Sequence, residues 1–281
     1  MVMGNFINSH HRLSLQAEKK RVLIVTHDVD WPRRGPGTPH ILARSSRFDE
    51  DVMRRVVKEE FNPYYGVPSV MEIEERLDIR STFFFRPTYD DGSTVGEYEG
   101  TIKELQKNGW EIGLHVNDQS TVEQISSEKK AIERIASTPI CGSRIHYLRV
   151  SDQSFLNLAK AGLRYDSSLM YSKTKIDSRN SGCLFMNDLC VFPITFMDAY
   201  LFTYMGLTEK TVAKFVVEAT DSLYSSGVQI ITLLWHDSSI MMKGGRVYSD
   251  LMSQLVARPD TVFLRAIDAF ELVRKQRSKC T

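Results

Sequence analysis

Two aspartates one residue apart, Asp28 and Asp30 in the segment RVLIVTHDVDWPRR, stand at the end of a run of aliphatic residues. If that run is a strand, side chains alternate between its faces, so the two carboxylates share one face. Carboxylates held that close repel, and the arrangement becomes favourable when a cation sits between them or one is protonated. Histidines recur in the same kind of position. His27, His115, His146 and His236 each lie at or near the end of an apolar run, whereas His10 and His11 fall in a polar N-terminal stretch and His40 in a loop. Each histidine alone reads more readily as a satisfied core or rim residue. Four of them with paired aspartates point to a site that holds a cation or moves protons.

The elements that must position these groups follow from the hydrophobic pattern. Short runs rich in β-branched and aromatic residues lie at 22–28, 81–87, 111–116, 140–147, 163–169, 190–195 and 229–236, with an eighth candidate at TVFLR. Between them, VMEIEERLDI, TIKELQKNG, TVEQISSEKKAIERIA, SFLNLAKAGL, VAKFVVEATDSLYSSG and SDLMSQLVARP carry apolar residues at spacings of three and four, the signature of helices with one buried face. Gly109, Gly162 and Gly227 stand where helix C-caps are expected. Strand alternating with helix predicts βαβ units and a parallel sheet. In parallel β/α barrels the site is built at the C-terminal strand ends, so groups scattered in sequence converge in space. The stretch from about residue 31 to 68 reads as a long, decorated first connection, a kind usually functional or disordered.

Composition narrows the partners. The 281 residues carry 36 Lys plus Arg against 35 Asp plus Glu, a balance with no electrostatic footprint for nucleic acid or an anionic membrane. Neither a signal-peptide core nor a run of ~20 apolar residues is visible, so no membrane span and a cytoplasmic location are expected. Cys141, Cys183, Cys190 and Cys280 form no C-x-x-C pair and read as reduced, mostly buried thiols. With no repeat or linker, residues 1–20 are expected to be a polar tail and 21–281 a single domain. A homo-oligomer is compatible with all of this.

Five short segments in order then resemble one family. THDVD stands where the polysaccharide deacetylases of the NodB-homology type have a TFDD-like segment, and GWEIGLHVNDQ where they have GHEIGNH followed by a second histidine. SRIHYLR replaces R-x-P-Y, CVFPITFMD occupies the fourth position, and LLWHD replaces the final LLHD-like segment. The resemblance implies an α/β fold, an irregular (β/α) barrel with about seven parallel strands, and metal-assisted hydrolysis of an N-acetyl or related amide. It implies Asp28 as the general base, Asp30 or Asp28 itself as the carboxylate on the metal, and His115 as the first histidine ligand. Arg144 would orient the base, and His236 would protonate the leaving amine.

The departures from the family shape the expected metal set. Val29 separates the two aspartates, Gln119 stands in place of the second histidine, and His146 replaces the proline of R-x-P-Y. A catalytic zinc ordinarily takes three protein ligands and leaves a position for water. His146 or His40 is expected to supply the missing one, His146 being preferred because it follows Arg144 by two residues. Asp198 could hold His236 protonated or serve as a structural salt-bridge partner. Trp31, Tyr147 and Trp235 would suit stacking on a sugar ring. Arg86 could contact substrate or pair with Asp90 or Asp91.

The leading expectation is a metal-dependent deacetylase, with zinc or another divalent transition ion, acting on an amino sugar or polysaccharide precursor. Two others stay in view: an allantoinase-like hydrolase of non-sugar C–N bonds, and a catalytically silent carbohydrate-binding barrel.

Overall fold

The first apolar run is buried along nearly its whole length on both faces, as a central strand of a parallel sheet must be. The computed structural model of the chain describes residues 21–258 and 260–280; the expected tail, with His10 and His11, lies outside them. Ten strands form one sheet: β1 (Arg21–Val29), β2 (Thr82–Phe85), β3 (Glu111–Val116), β4 (Gly142–Ile145), β5 (Tyr165–Asp166), β6 (Leu184–Met186), β7 (Leu189–Val191), β8 (Phe196–Met197), β9 (Ile230–Leu234) and β10 (Thr261–Leu264). The helices are α1 (Thr38–Leu42), α2 (Glu50–Glu59), α3 (Val67–Arg76), α4 (Glu99–Lys107), α5 (Val122–Ala136), α6 (Asp152–Lys160), α7 (Asp198–Thr203), α8 (Val212–Ser225), α9 (Tyr248–Val256) and α10 (Ala266–Cys280).

The strand order is β6-β7-β5-β4-β3-β2-β1-β9-β8, with β10 added on β1. Every pairing is parallel except β6 with β7. β1 pairs with β9 through Val22–Thr26 along one edge, while β10 (at 21–24) and β2 (at 26–29) divide the other. Gly182, just before β6, donates its N–H to the carbonyl of Ile230 on β9 at 2.7 Å, so the sheet curls until the segments near its ends meet. The result is a curled, mostly parallel half-barrel. The eighth candidate strand is β10. Of the run expected at 190–195 only Cys190 and Val191 lie in a strand, β7, which ends just before Pro193, a residue with no N–H for the ladder; the short β8 begins beyond the run, at Phe196, and the antiparallel β6 was not anticipated.

Two apolar layers hold the sheet. Leu23, Val25, Phe83, Phe85, Leu114 and Ile145 face the helices, whereas Val22, Ile24, Phe84, Tyr165, Cys190 and Ile230 face inward. The inward set packs on Ala266, Ala269, Phe270 and Val273 of α10, so the C-terminal helix plugs the end of the barrel opposite the strand C-termini. Glu111, buried at that end, accepts from Tyr165 Oη (2.6 Å), Thr82 Oγ1 (2.7 Å) and the Ile267 N–H (2.9 Å), tying the plug to three strands. Space inside is tight: a Cβ on Gly142 would lie 1.9 Å from the Tyr165 ring.

The helices begin and end as their sequences dictate. Thr121 caps α5 by accepting from the Gln124 N–H, and Ser151 with Ser154 forms a capping box on α6. Gly109, Gly162 and Gly227 all take positive φ after their helices. The long first connection holds α1 and α2, packed through Ile41, Phe48, Val56 and Tyr64. No disulfide forms among the described residues, and Cys183 and Cys190 are buried. No helix among the described residues is long and apolar enough to cross a membrane.

Candidate active site

The inward positions at the C-terminal strand ends carry a second buried polar cluster, at the opposite end of the barrel from Glu111. Asp28, on the barrel face of β1, places Oδ1 3.0 Å from Nη1 of Arg144, on β4. Both side chains are buried, at 3% and 0% exposure. Arg144 also donates from Nε to the Ser167 carbonyl (2.6 Å) and from Nη2 to Ser167 Oγ (2.8 Å), and its guanidinium lies over the Phe84 ring. A buried ion pair survives only when such additional hydrogen bonds satisfy it.

Asp30, just beyond β1, is the centre of the cluster. Its Oδ1 lies 3.0 Å from His115 Nε2 and 3.4 Å from His146 Nδ1, and its Oδ2 lies 3.6 Å from His236 Nε2. The two ring nitrogens of His115 and His146 are 3.1 Å apart. Among the described residues, Asp30, His115 and His146 form a group whose ligand atoms all lie within 4.8 Å of one another. His115 Nδ1 meets the Arg144 carbonyl oxygen at 2.8 Å, which orients the ring and turns Nε2 toward Asp30. Metal-bound histidines are held in this way by a partner on the other nitrogen. Two imidazoles and a carboxylate aimed at one point fit a divalent cation, and their N/O chemistry suits zinc and its divalent neighbours.

Charge follows the geometry. Burial pushes the Asp30 carboxyl up, but hydrogen bonds and charge from His115, His146 and His236 outweigh it and hold the group well below the usual range. For His115, burial opposes protonation, while Asp28 and Asp30 raise the pKa above the ordinary value. His236 is likewise opposed by burial but pushed up to about 10, first by Asp198 and then by Asp30 and Asp28. Its Nδ1 lies 2.6 Å from Asp198 Oδ1, and Asp198 Oδ2 accepts the His236 backbone N–H at 3.1 Å.

Two depressions meet at the cluster. One of about 530 Å³ is lined by Arg86, Asp90, Gln119, His146, Tyr147 and Arg149 among others; a second of about 460 Å³ is lined by Asp30, Trp31, Arg34, Asp90 and Asp91 among others. They share Asp90, and Asp30 and His146 connect them. Tyr147 is 67% exposed, leans on His146 with ring centroids 3.9 Å apart and the ring planes tilted by 45°, and has φ 60°, with Leu148 at φ 53° behind it. Two successive left-handed residues carrying side chains are strained, and such strain concentrates at functional sites.

Several expected residues sit elsewhere. His40 packs edge-on against Trp31 and Tyr64, away from the ligand group, because the long first connection builds its own apolar cluster. Trp235 is fully buried against Phe202 and Tyr248 on the helix side of β9 and cannot stack on a sugar. Arg86 is nearly buried and uses its guanidinium internally, on Asn117 Oδ1, Asp90 Oδ1 and the Asp30 carbonyl oxygen. It therefore fixes the backbone of Asp30 more than it offers donors to a ligand. Gln119 donates to the Arg149 carbonyl and shapes the cleft wall.

Residues outside the expected set also build the site. Ser167 anchors Arg144, and Asn117 anchors Arg86. Asp237 is buried next to His236 and pushed up to about 8, first by burial and with help from Asp30, against the Gly66 N–H it accepts. Glu74 is buried on α3 and meets His27 Nε2 at 2.9 Å. Its signal was legible, since it continues the Val67, Val70 spacing of the buried face.

No protein-family model and no curated protein matches the chain. Solved structures do. A protein assigned as a polysaccharide deacetylase from Mycobacterium smegmatis superposes with a TM-score of 0.67 at 18% identity, covering 95% of this chain and 94% of the other. The chain has the polysaccharide-deacetylase fold. Another protein so assigned, from Pseudomonas aeruginosa PAO1, gives 0.66 at 14% identity, and the PuuE allantoinase gives 0.66 at 13%, each with 92% of both chains covered. The same fold is thus found in proteins named polysaccharide deacetylase and allantoinase, and the fold alone assigns this chain neither activity.

Proposed function

We propose that the protein is a metal-dependent hydrolase that removes an N-acetyl or related acyl group from an amino sugar or polysaccharide precursor. The observation that carries this reading is the convergence of Asp30 Oδ1, His115 Nε2 and His146 Nδ1, flanked on one side by the Asp28–Arg144 pair and on the other by His236–Asp198. In this reading His146, from the end of β4, takes the ligand place left by Gln119. A divalent cation held there, zinc preferred, would supply Lewis-acid chemistry, polarising a carbonyl and making water more acidic.

The chain's own groups divide the proton work. Asp28, kept in place by Arg144, is the general base that accepts a proton from the attacking water. His236, protonated through its contact with Asp198, is the acid that gives a proton to the departing nitrogen. Trp31 and Tyr147 are the aromatic faces of the two depressions available to a sugar ring.

The likeness to an allantoinase supports a second reading in which the same groups cleave a non-sugar ureide. Incubating the metal-loaded protein with N-acetylated sugars and with allantoin separates them. Acetate release from the sugars supports the deacetylase; turnover of allantoin alone selects the second reading. Inactivity on both, with no metal taken up, would leave the silent carbohydrate-binding barrel.

A further inference from the structure

The first residue of HDVD has no part in the chemistry above, yet it is fully buried and fully engaged. His27 points to the helix side of β1, opposite Asp28. Its Nδ1 lies 2.7 Å from the carbonyl oxygen of Trp235, and its Nε2 lies 2.9 Å from Glu74 Oε1. Glu74 in turn accepts from Tyr248 Oη (2.6 Å), Ser81 Oγ (2.7 Å) and Trp110 Nε1 (2.6 Å). Burial alone would raise the Glu74 carboxyl, but His27, Tyr248 and Ser81 bring it below its ordinary value. The ring is thus fixed from both nitrogens, with Phe83 stacked on its face.

The Trp235 carbonyl belongs to the peptide unit that carries the His236 N–H. That unit lies just past the end of β9, where the strand ladder no longer holds it. Its oxygen is taken by His27 and its N–H by Asp198 Oδ2, so the one peptide is gripped at both ends. Asp198 Oδ1 then fixes the imidazole itself. Asp198 thus holds both the backbone N–H and the ring of His236, while the carbonyl side of the same peptide is held by His27 from the far side of the sheet.

We propose that His27 is a positioning residue for His236: by holding the Trp235–His236 peptide it aims the acid at the reacting centre, and Glu74 keeps the His27 ring in register. The kinetic part of this inference rests on the deacetylase reading; the clamp itself does not.

The test uses the full chain carrying His27→Leu together with Glu74→Gln. The single change His27→Leu would leave the Glu74 carboxylate buried without its partner and could unfold the protein. Backbone amide exchange, read by NMR, is expected to show His236 protection falling about tenfold, the worth of one hydrogen bond, while the amides of β3 keep theirs. Unchanged protection at His236, or an equal fall throughout the sheet, would overturn the clamp.

The kinetic arm compares N,N′-diacetylchitobiose, whose amine must be protonated to leave, with 4-nitrophenyl acetate, whose phenolate leaves without a proton. A misaimed acid lowers kcat on the amide at unchanged KM and spares the ester. Equal loss on both would overturn the positioning role. A wild-type protein inactive on the amide would count against the deacetylase reading, and amide exchange would still decide the clamp.

Discussion

Replacing Arg144 by Met should cost more stability than almost any other single change in the barrel, and the structure says why. Arg144 is fully buried, and its loss leaves the Asp28 carboxylate, itself 3% exposed, with only the more distant His115 Nε2, at 3.8 Å, as an ion-pair contact among the described residues. It also removes the donors to both oxygen atoms of Ser167. Removing one partner of such a pair costs about 3–5 kcal/mol, a large share of a total that for folded domains is typically ~5–15 kcal/mol. Asp28→Leu should cost less, because Arg144 keeps Ser167 and its place over Phe84. The double variant Asp28→Leu/Arg144→Met removes both charges and should recover most of the loss, giving a coupling energy of about 3 kcal/mol. Urea unfolding followed by circular dichroism measures all four corners of this cycle. Excess chelator should be present throughout, so that lost metal binding does not add to the result. Additive single-variant losses, or a loss below ~1 kcal/mol in Arg144→Met, would refute the buried-pair account.

The Asp198–His236 contact predicts a pH dependence of the metal-free protein. His236 is raised from 6.5 to about 10, so its stabilisation is fully present below the unfolded pKa and is lost as pH rises toward 10. The stability gap between wild type and Asp198→Asn should therefore be widest below pH 6.5 and close toward pH 10; a gap that widens with pH would contradict this. At the cleft rim, Tyr147→Gly releases a left-handed strain of about 1–2 kcal/mol while adding about 0.5–1 kcal/mol of unfolded-state entropy. Thermal unfolding should show stability unchanged or slightly raised, with KM for an N-acetylated sugar increased. A marked fall in Tm with KM unaltered would remove Tyr147 from the binding face.

How far the sequence could be read depended on how local the signal was. The runs that became β1, β3 and β9 are long, apolar and flanked by helices, so hydrophobicity alone identifies them. β8 has two residues and β6 three, too few for any period to register. Gly109, Gly162 and Gly227 are helix ends legible from residue type, whereas the plugging of the barrel by α10 depends on contacts between residues far apart in the chain. His146 could be found because it stands where the resemblance expects a proline. His40 misled because its aromatic partners lie within a long connection whose folding no short window reveals. Trp235 was decipherable: alternation along Leu234, Trp235 and His236 turns the middle side chain away from the barrel mouth when the outer two face it.

The ligand role of His146 is the point on which the account stands or falls, and elemental analysis of protein purified without chelator tests it directly. Wild type and His40→Ala should each carry about one divalent ion per chain, and His115→Ala and His146→Ala should carry almost none. Full metal content in His146→Ala would contradict the proposed centre.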